Sequence, residues 1–174
     1  LLFQCISSAS GALINVTIDD TFGDMLTGQQ FVYSPGNLWN AGQNCSVCLA
    51  KLDTSRLQNG TWHDSTFFPQ AEDAPDPNVP TNASVNFFGT ALYVYCVLAH
   101  TSSPLDGNTD MTFSIDGRVV RTFAEQPNGD LNFDYNDPVF SADNLPLGSH
   151  EFTLTNGHVN GNTSLVLFDY VVYT

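Results

Sequence analysis

The chain has 174 residues, the size of one domain with its own core, and carries eighteen acidic side chains against four basic ones, for a formal charge of −14. That balance excludes nucleic acid and anionic membrane surfaces as partners, because both demand clustered Lys and Arg, and Lys51, Arg56, Arg118 and Arg121 form no run. Aromatic residues make up 12% and hydrophobic residues 42%, which also excludes an acidic disordered chain.

Residues 1–12 read as an N-terminal apolar arm, with Leu1, Leu2, Phe3 and Ile6 ahead of a run of small residues. The arm resembles the end of a secretion signal; if retained, it needs an apolar partner in its own domain or in a neighbouring chain. Residues 13–174 read as one domain. Short β-branched and aromatic runs predict strands at 13–18, 29–33, 84–90, 91–99, 111–115, 118–124, 131–135, 150–155 and 165–173. Between them lie Asx-Gly pairs at Asn59-Gly60, Asp106-Gly107, Asp116-Gly117, Asn128-Gly129, Asn156-Gly157 and Asn160-Gly161, each able to supply the positive φ of a tight turn. A Pro/Asp-rich loop near 69–82 interrupts the pattern without dividing the domain. The clearest local expectation is a hairpin over 111–123, closed by Asp116-Gly117 as a type I′ turn. The run 165–173 is apolar on both faces except for Asp169, as a central covered strand requires, so Asp169 needs a partner. Fifteen Asp against three Glu suits turns rather than helices. Together these features predict an all-β fold, a single jelly-roll-type antiparallel β-sandwich.

Asn-x-Ser/Thr acceptor patterns for N-glycosylation occur at Asn15, Asn44, Asn59, Asn82 and Asn162, against about three expected by chance. Cys5, Cys45, Cys48 and Cys96 form an even set that fits an oxidising, extracellular compartment, secreted or cell-wall associated. Of the three pairings open to them, Cys45–Cys48 with Cys5–Cys96 is the simplest. The competing readings of Cys45-x-x-Cys48 are a redox pair or half of a zinc site, and His63, His100, His150 and His158 do not complete a zinc set at ligand spacing. No apolar stretch reaches the roughly 20 residues of a membrane-spanning helix.

The segments Ile18-Asp19-Asp20, Tyr33-Ser34-Pro35-Gly36, Trp39, Cys45-Ser46-Val47-Cys48, Gly60-Thr61-Trp62-His63-Asp64-Ser65-Thr66 and Leu167-Phe168-Asp169-Tyr170-Val171-Val172-Tyr173-Thr174 carry a further signal. Their combination, running from about Asn15 to Thr174, resembles a group of secreted or cell-surface proteins of mushroom-forming (basidiomycete) fungi. The resemblance implies a galactose-binding-domain-like β-sandwich and brings no activity with it. The segment 1–6 with Cys5 lies outside the shared pattern.

Candidate chemistry is sparse. Tyr33, Trp39, Trp62, His63 and Asp64 are the candidate glycan-binding set, since an aromatic face covers pyranose C–H groups while polar neighbours bind hydroxyls; the competing reading places both Trp residues in the core. Asp19, Asp20 and Asp24 are candidate ligands for a structural Ca²⁺. The run 106–110 starts like an EF-hand but lacks its Gly and its bidentate Glu. Nucleophile-elbow, zinc-protease and phosphate-loop motifs are absent, so the reading is non-enzymatic. It is an extracellular recognition module for cell-wall or matrix glycans or for another extracellular protein. The alternative is a self-assembling structural protein, its arm adding a strand to the next subunit in a homo-oligomer or filament and Cys5 bridging to Cys96 between chains.

Overall fold

A computed structural model describes residues 14–70, 76–102 and 106–174. The apolar arm and Cys5 lie outside the described residues, as does part of the loop near 69–82. In chain order the strands are β1 (Val16–Asp19), β2 (Gly23–Asp24), β3 (Val32–Ser34), β4 (Asn40–Ala41), β5 (His63–Phe67), β6 (Thr81–Gly89), β7 (Leu92–Ala99), β8 (Thr109–Ile115), β9 (Arg118–Glu125), β10 (Phe133–Asp134), β11 (Pro138–Ala142), β12 (Gly148–Asn156) and β13 (Ser164–Tyr173). Short 3₁₀ turns occur at 36–38, 42–44, 54–56 and 58–60, and no α-helix occurs among the described residues.

The strands form two antiparallel sheets. The smaller runs β3-β6-β12-β8-β9; the larger runs β10-β7-β13-β1-β2, with β11 on β7, β5 on β13 and β4 on β5. Alternation in β6, β8 and β12 turns Ala83, Val85, Phe87, Met111, Phe113, Ile115, Phe152 and Leu154 inward, where they meet Leu92, Val94, Val166, Phe168 and Val171 of the larger sheet. Phe113, Phe140 and Phe152 stack within this layer. The β8–β9 hairpin has the expected turn: Asp116 at φ 53° and Gly117 at φ 73° give both central residues the positive φ of type I′.

β13 is the central strand that its composition predicts. Its first half pairs with β5 and β7, its second half with β1 and β7. The change of neighbour falls at a β-bulge on Asp169, where Phe168 pairs Cys96 and Tyr170 pairs Tyr95. A second apolar cluster lies on the outer side of the larger sheet, where Ala50, Leu52, Leu57 and Trp62 cover Val97, Ala99, Leu165 and Leu167. Leu165 and Leu167 therefore find cover on a face that an ordinary sandwich leaves to solvent.

Two expectations about cysteine are decided here. Cys45 and Cys48 are disulfide-bonded. Cys96 is a free thiol, 3% exposed, because its place on β7 turns it into the layer between the sheets beside Met111. A free thiol enclosed in that layer does not fit the expected Cys5–Cys96 pairing, of which Cys5 lies outside the described residues.

Candidate functional site

The 50–62 segment covers only half of the larger sheet's outer face. On the other half, alternation along β7 and β13 turns Tyr93, Tyr95, Tyr170 and Val172 outward, all half-buried. Register sets them in two rows: Pro138, Tyr95, Tyr170 and Asp19 across four strands, then Ser141, Tyr93, Val172 and Thr17. Tyr95 and Tyr170 are stacked at 4.4 Å with 10° between planes, close to the strand spacing itself, so the rings stand upright on the sheet as a pair. They offer ring edges and phenol oxygens to solvent. Burial, then the neighbouring Tyr95 and Asp169, push the Tyr170 phenol up to about 12, so it stays a neutral donor. Tyr93 donates to Asp143 Oδ1 at 2.7 Å, which fixes its ring on the same face.

Past Thr17 the rows run into a cleft of about 330 Å³ lined by Thr17, Asp19, Asp24, Leu26, Gln58 and Asn59, among others. Its polar wall is tied down from beneath. Asp19 Oδ1 accepts the backbone N–H groups of Thr21 at 3.0 Å and Phe22 at 2.7 Å, and Asp19 Oδ2 accepts Asn59 Nδ2–H at 2.9 Å. Asp20 Oδ1 accepts the Thr61 hydroxyl at 2.6 Å, and Asp20 Oδ2 lies 2.7 Å from His63 Nδ1. Asp169 Oδ1 accepts the Gln58 N–H at 3.0 Å, and its own carbonyl accepts the Asp20 N–H at 3.1 Å. Burial pushes the Asp169 carboxyl up to about 8; the Gln58 N–H opposes this, and the Asp20 and Asp19 charges add to it. Asp169 thus ties the turn at Gln58 and the chain just after β1 to the bulge in β13.

The glycan-binding residues expected from sequence are gathered by the fold but enclosed. Tyr33 stacks on His63 at 4.1 Å and packs against Trp39 at 4.9 Å, and its hydroxyl donates to the Asp20 carbonyl. Trp39 is 7% exposed in the layer between the sheets, and Trp62 is 4% exposed in the outer cluster. Neither presents an indole face to solvent, and both Nε1 atoms are buried without a partner among the described residues. As a stacking platform the Trp pair is thus corrected: each serves as apolar filling. Asp64 is buried against Asn40 and the disulfide. Asp19 and Asp20 come together, but Asp24 turns its carboxylate to Leu26, Thr27 and Tyr173. Burial would raise Asp24, and those hydrogen bonds outweigh it and hold the carboxyl below its ordinary range. Among the described residues no group of three or more His, Cys, Asp or Glu is placed to hold a metal ion, because these carboxylates serve as turn caps. Of the acceptor asparagines, Asn15, Asn44, Asn59 and Asn162 are exposed, whereas Asn82 is half-buried near the start of β6 with the Thr155 hydroxyl donating to its Oδ1.

Sequence reasoning missed the tyrosine face. The signal was the alternation Leu92-Tyr93-Val94-Tyr95-Cys96, which puts two tyrosines on one side of a strand and three core residues on the other.

No family model matches the sequence, and no curated protein does. Among solved structures, the chain is similar to a family 35 carbohydrate binding module from Clostridium thermocellum, at 11% identity and a TM-score of 0.50, over 92% of this chain and 97% of that one. It is also similar to the family 32 module of C. perfringens NanJ, solved with galactose, at 12% identity and a TM-score of 0.39, over 91% and 99%. An exo-β-1,3-galactanase from Phanerochaete chrysosporium matches at 14% identity and a TM-score of 0.47, over 91% of this chain and 29% of the enzyme. The all-β, galactose-binding-like sandwich expected from the sequence is the fold of the protein.

Proposed function

We propose that the protein is a non-catalytic, extracellular carbohydrate-binding module whose glycan lies across the open half of the larger sheet's outer face. The observation that carries this reading is the face formed by Tyr93, Tyr95 and Tyr170, half-buried on two adjacent rows of the sheet and continuous with the polar cleft at Asn59 and Gln58. Phenol, amide and carboxylate groups bind the sugar hydroxyls, and the upright rings give apolar contact beside them. A neutral glycan fits best. The face carries Asp19, Asp24 and Asp143, and the four basic residues lie elsewhere: Lys51 at the disulfide, Arg56 over the Tyr135 ring, Arg118 and Arg121 on β9. Uronic acid chains would be repelled.

Calorimetry against neutral β-glucans, chitin oligomers and galactans, preceded by a glycan array, tests the reading. Binding to at least one of these is expected, with Tyr95→Ala and Tyr170→Ala each weakening it by about 1 kcal/mol, roughly fivefold in Kd. No binding to any neutral glycan, or unchanged binding by both folded variants, overturns it.

A further inference from the structure

The Cys45–Cys48 disulfide has surroundings that a plain staple does not need. A bridge between residues three apart closes a very short loop, where cross-linking stabilises little. Cys45 is half-exposed, and Cys48 is buried. Val47 and Leu49 beside them are 84% and 61% exposed, so the bond sits on an apolar knob. The Cys48 N–H donates to Cys45 Sγ at 3.0 Å, and Lys51, one of the four basic residues in the chain, donates to the Cys45 carbonyl at 3.4 Å. Behind the bond, Asp64 Oδ1 lies 3.4 Å from Cys48 Sγ and accepts Asn40 Nδ2–H at 2.9 Å. Burial holds the Asp64 carboxyl above its ordinary range, against the Asn40 hydrogen bond and the His63 and Lys51 charges. A buried acid touching the inner sulfur, with a backbone N–H on the outer sulfur and a cation on that residue's carbonyl, is an arrangement for moving a proton and a thiolate.

We infer that Cys45–Cys48 is a redox-active disulfide that exchanges with cysteine thiols on apolar peptide segments, with Cys45 attacked from solvent and Cys48 leaving toward Asp64. A peptide thiolate bonds to Cys45 Sγ; the Cys45–Cys48 bond breaks with its electron pair on Cys48; Asp64 gives that sulfur its proton. A second peptide thiolate attacks the peptide sulfur of the mixed disulfide, a peptide disulfide forms, and Cys45 leaves as a thiolate stabilised by the Cys48 N–H and Lys51. Two peptide thiols are thereby oxidised to one disulfide, and two electrons and one proton pass to the pair: one thiol proton restores Asp64 after its own has gone to Cys48, and the other is released to solvent while Cys45 remains a thiolate. In the reverse direction the Asp64 carboxylate takes the proton from Cys48. Val47 and Leu49 select an apolar peptide over a small polar thiol.

The test uses the full chain carrying Cys5→Ser, equilibrated with glutathione or with a reduced apolar cysteine peptide. Samples are acid-quenched, alkylated and weighed, with circular dichroism followed in parallel. The pair should open and reclose reversibly in folded protein, about tenfold faster with the peptide, while Cys96 stays unmodified. Asp64→Asn should slow exchange about tenfold near pH 7 and flatten its pH profile. Cys48→Ser leaves Cys45 as a lone thiol whose thiolate absorbance should titrate below the ordinary value of about 8.5, and Lys51→Ala should raise it. Opening only as the circular dichroism is lost, or a Cys45 titration at or above the ordinary value, overturns the inference, and the Cys48→Ser readout decides it even if Asp64→Asn fails to fold. Equal rates with glutathione and peptide overturn the choice of substrate.

Discussion

Asp169 stands where strand pairing changes hands, 3% exposed, its carboxyl raised to about 8. A carboxyl raised in the folded state binds a proton that the unfolded chain has released. Stability is therefore whole below the unfolded value near 4 and falls as pH rises through 8. Asp169→Asn keeps the acceptor for the Gln58 N–H and removes the titration. The variant should match the wild type at pH 4 and exceed it by about 1–2 kcal/mol at pH 8, read by urea unfolding at the two pH values. Gly42 is a residue whose role is space alone. A Cβ there would lie 2.0 Å from the Trp62 ring, so Gly42→Ala should destabilise the domain by about 2 kcal/mol or more by prising the indole off Leu165 and Leu167.

Among the strands, legibility followed how much of the signal was apolar alternation. β6, β8, β12 and β13 were plain in the sequence, and so was the Asp116-Gly117 turn. The expected strand at 131–135 shrinks to β10, because the Asp130 and Asn132 N–H groups go to the Asn128 and Asp130 side chains and compete with the ladder. β5 went unseen: its buried residues include Asp64 and Ser65, which face side-chain partners rather than oil. β11 begins at Pro138 and sits at an edge, where proline is tolerated and easily misread. The site was less legible than the fold. Aromatic residues near turns drew attention to Trp39 and Trp62, but the 36–62 region folds back over the sheets and encloses both. The open face belongs to tyrosines inside β7 and β13, which composition cannot tell from core tyrosines.

Across the whole molecule, His63, His100, His150 and His158 each lie against an Asp or Glu, in a chain with eighteen acidic and four basic side chains. The Asp116 hydrogen bond, with the Pro146 carbonyl, raises His150, so its contribution is present below about pH 6.5 and lost as pH climbs through the raised value. Asp116 is lowered by that same contact, so its share is lost as pH falls below 4. With Asp169, these groups set maximal thermal stability at about pH 5, and a melting series from pH 3 to 9 should show it. At pH 7 the uncompensated charge also predicts a melting temperature that rises with NaCl between about 10 and 200 mM as self-repulsion is screened.

The position of β13 sets a rule about time. The strand that joins β1, β5 and β7 is made last, and Val16 must wait for Tyr173. Until β13 is made, the larger sheet is three unjoined pieces, β1-β2, β4-β5 and β7 with β10 and β11, and the side of β7 that carries Tyr93, Val94 and Tyr95 lacks its partner strand. This sandwich closes only after synthesis has passed residue 173, in a single late event across nearly the full length of the domain, and until then it is a client for whatever shields nascent chains.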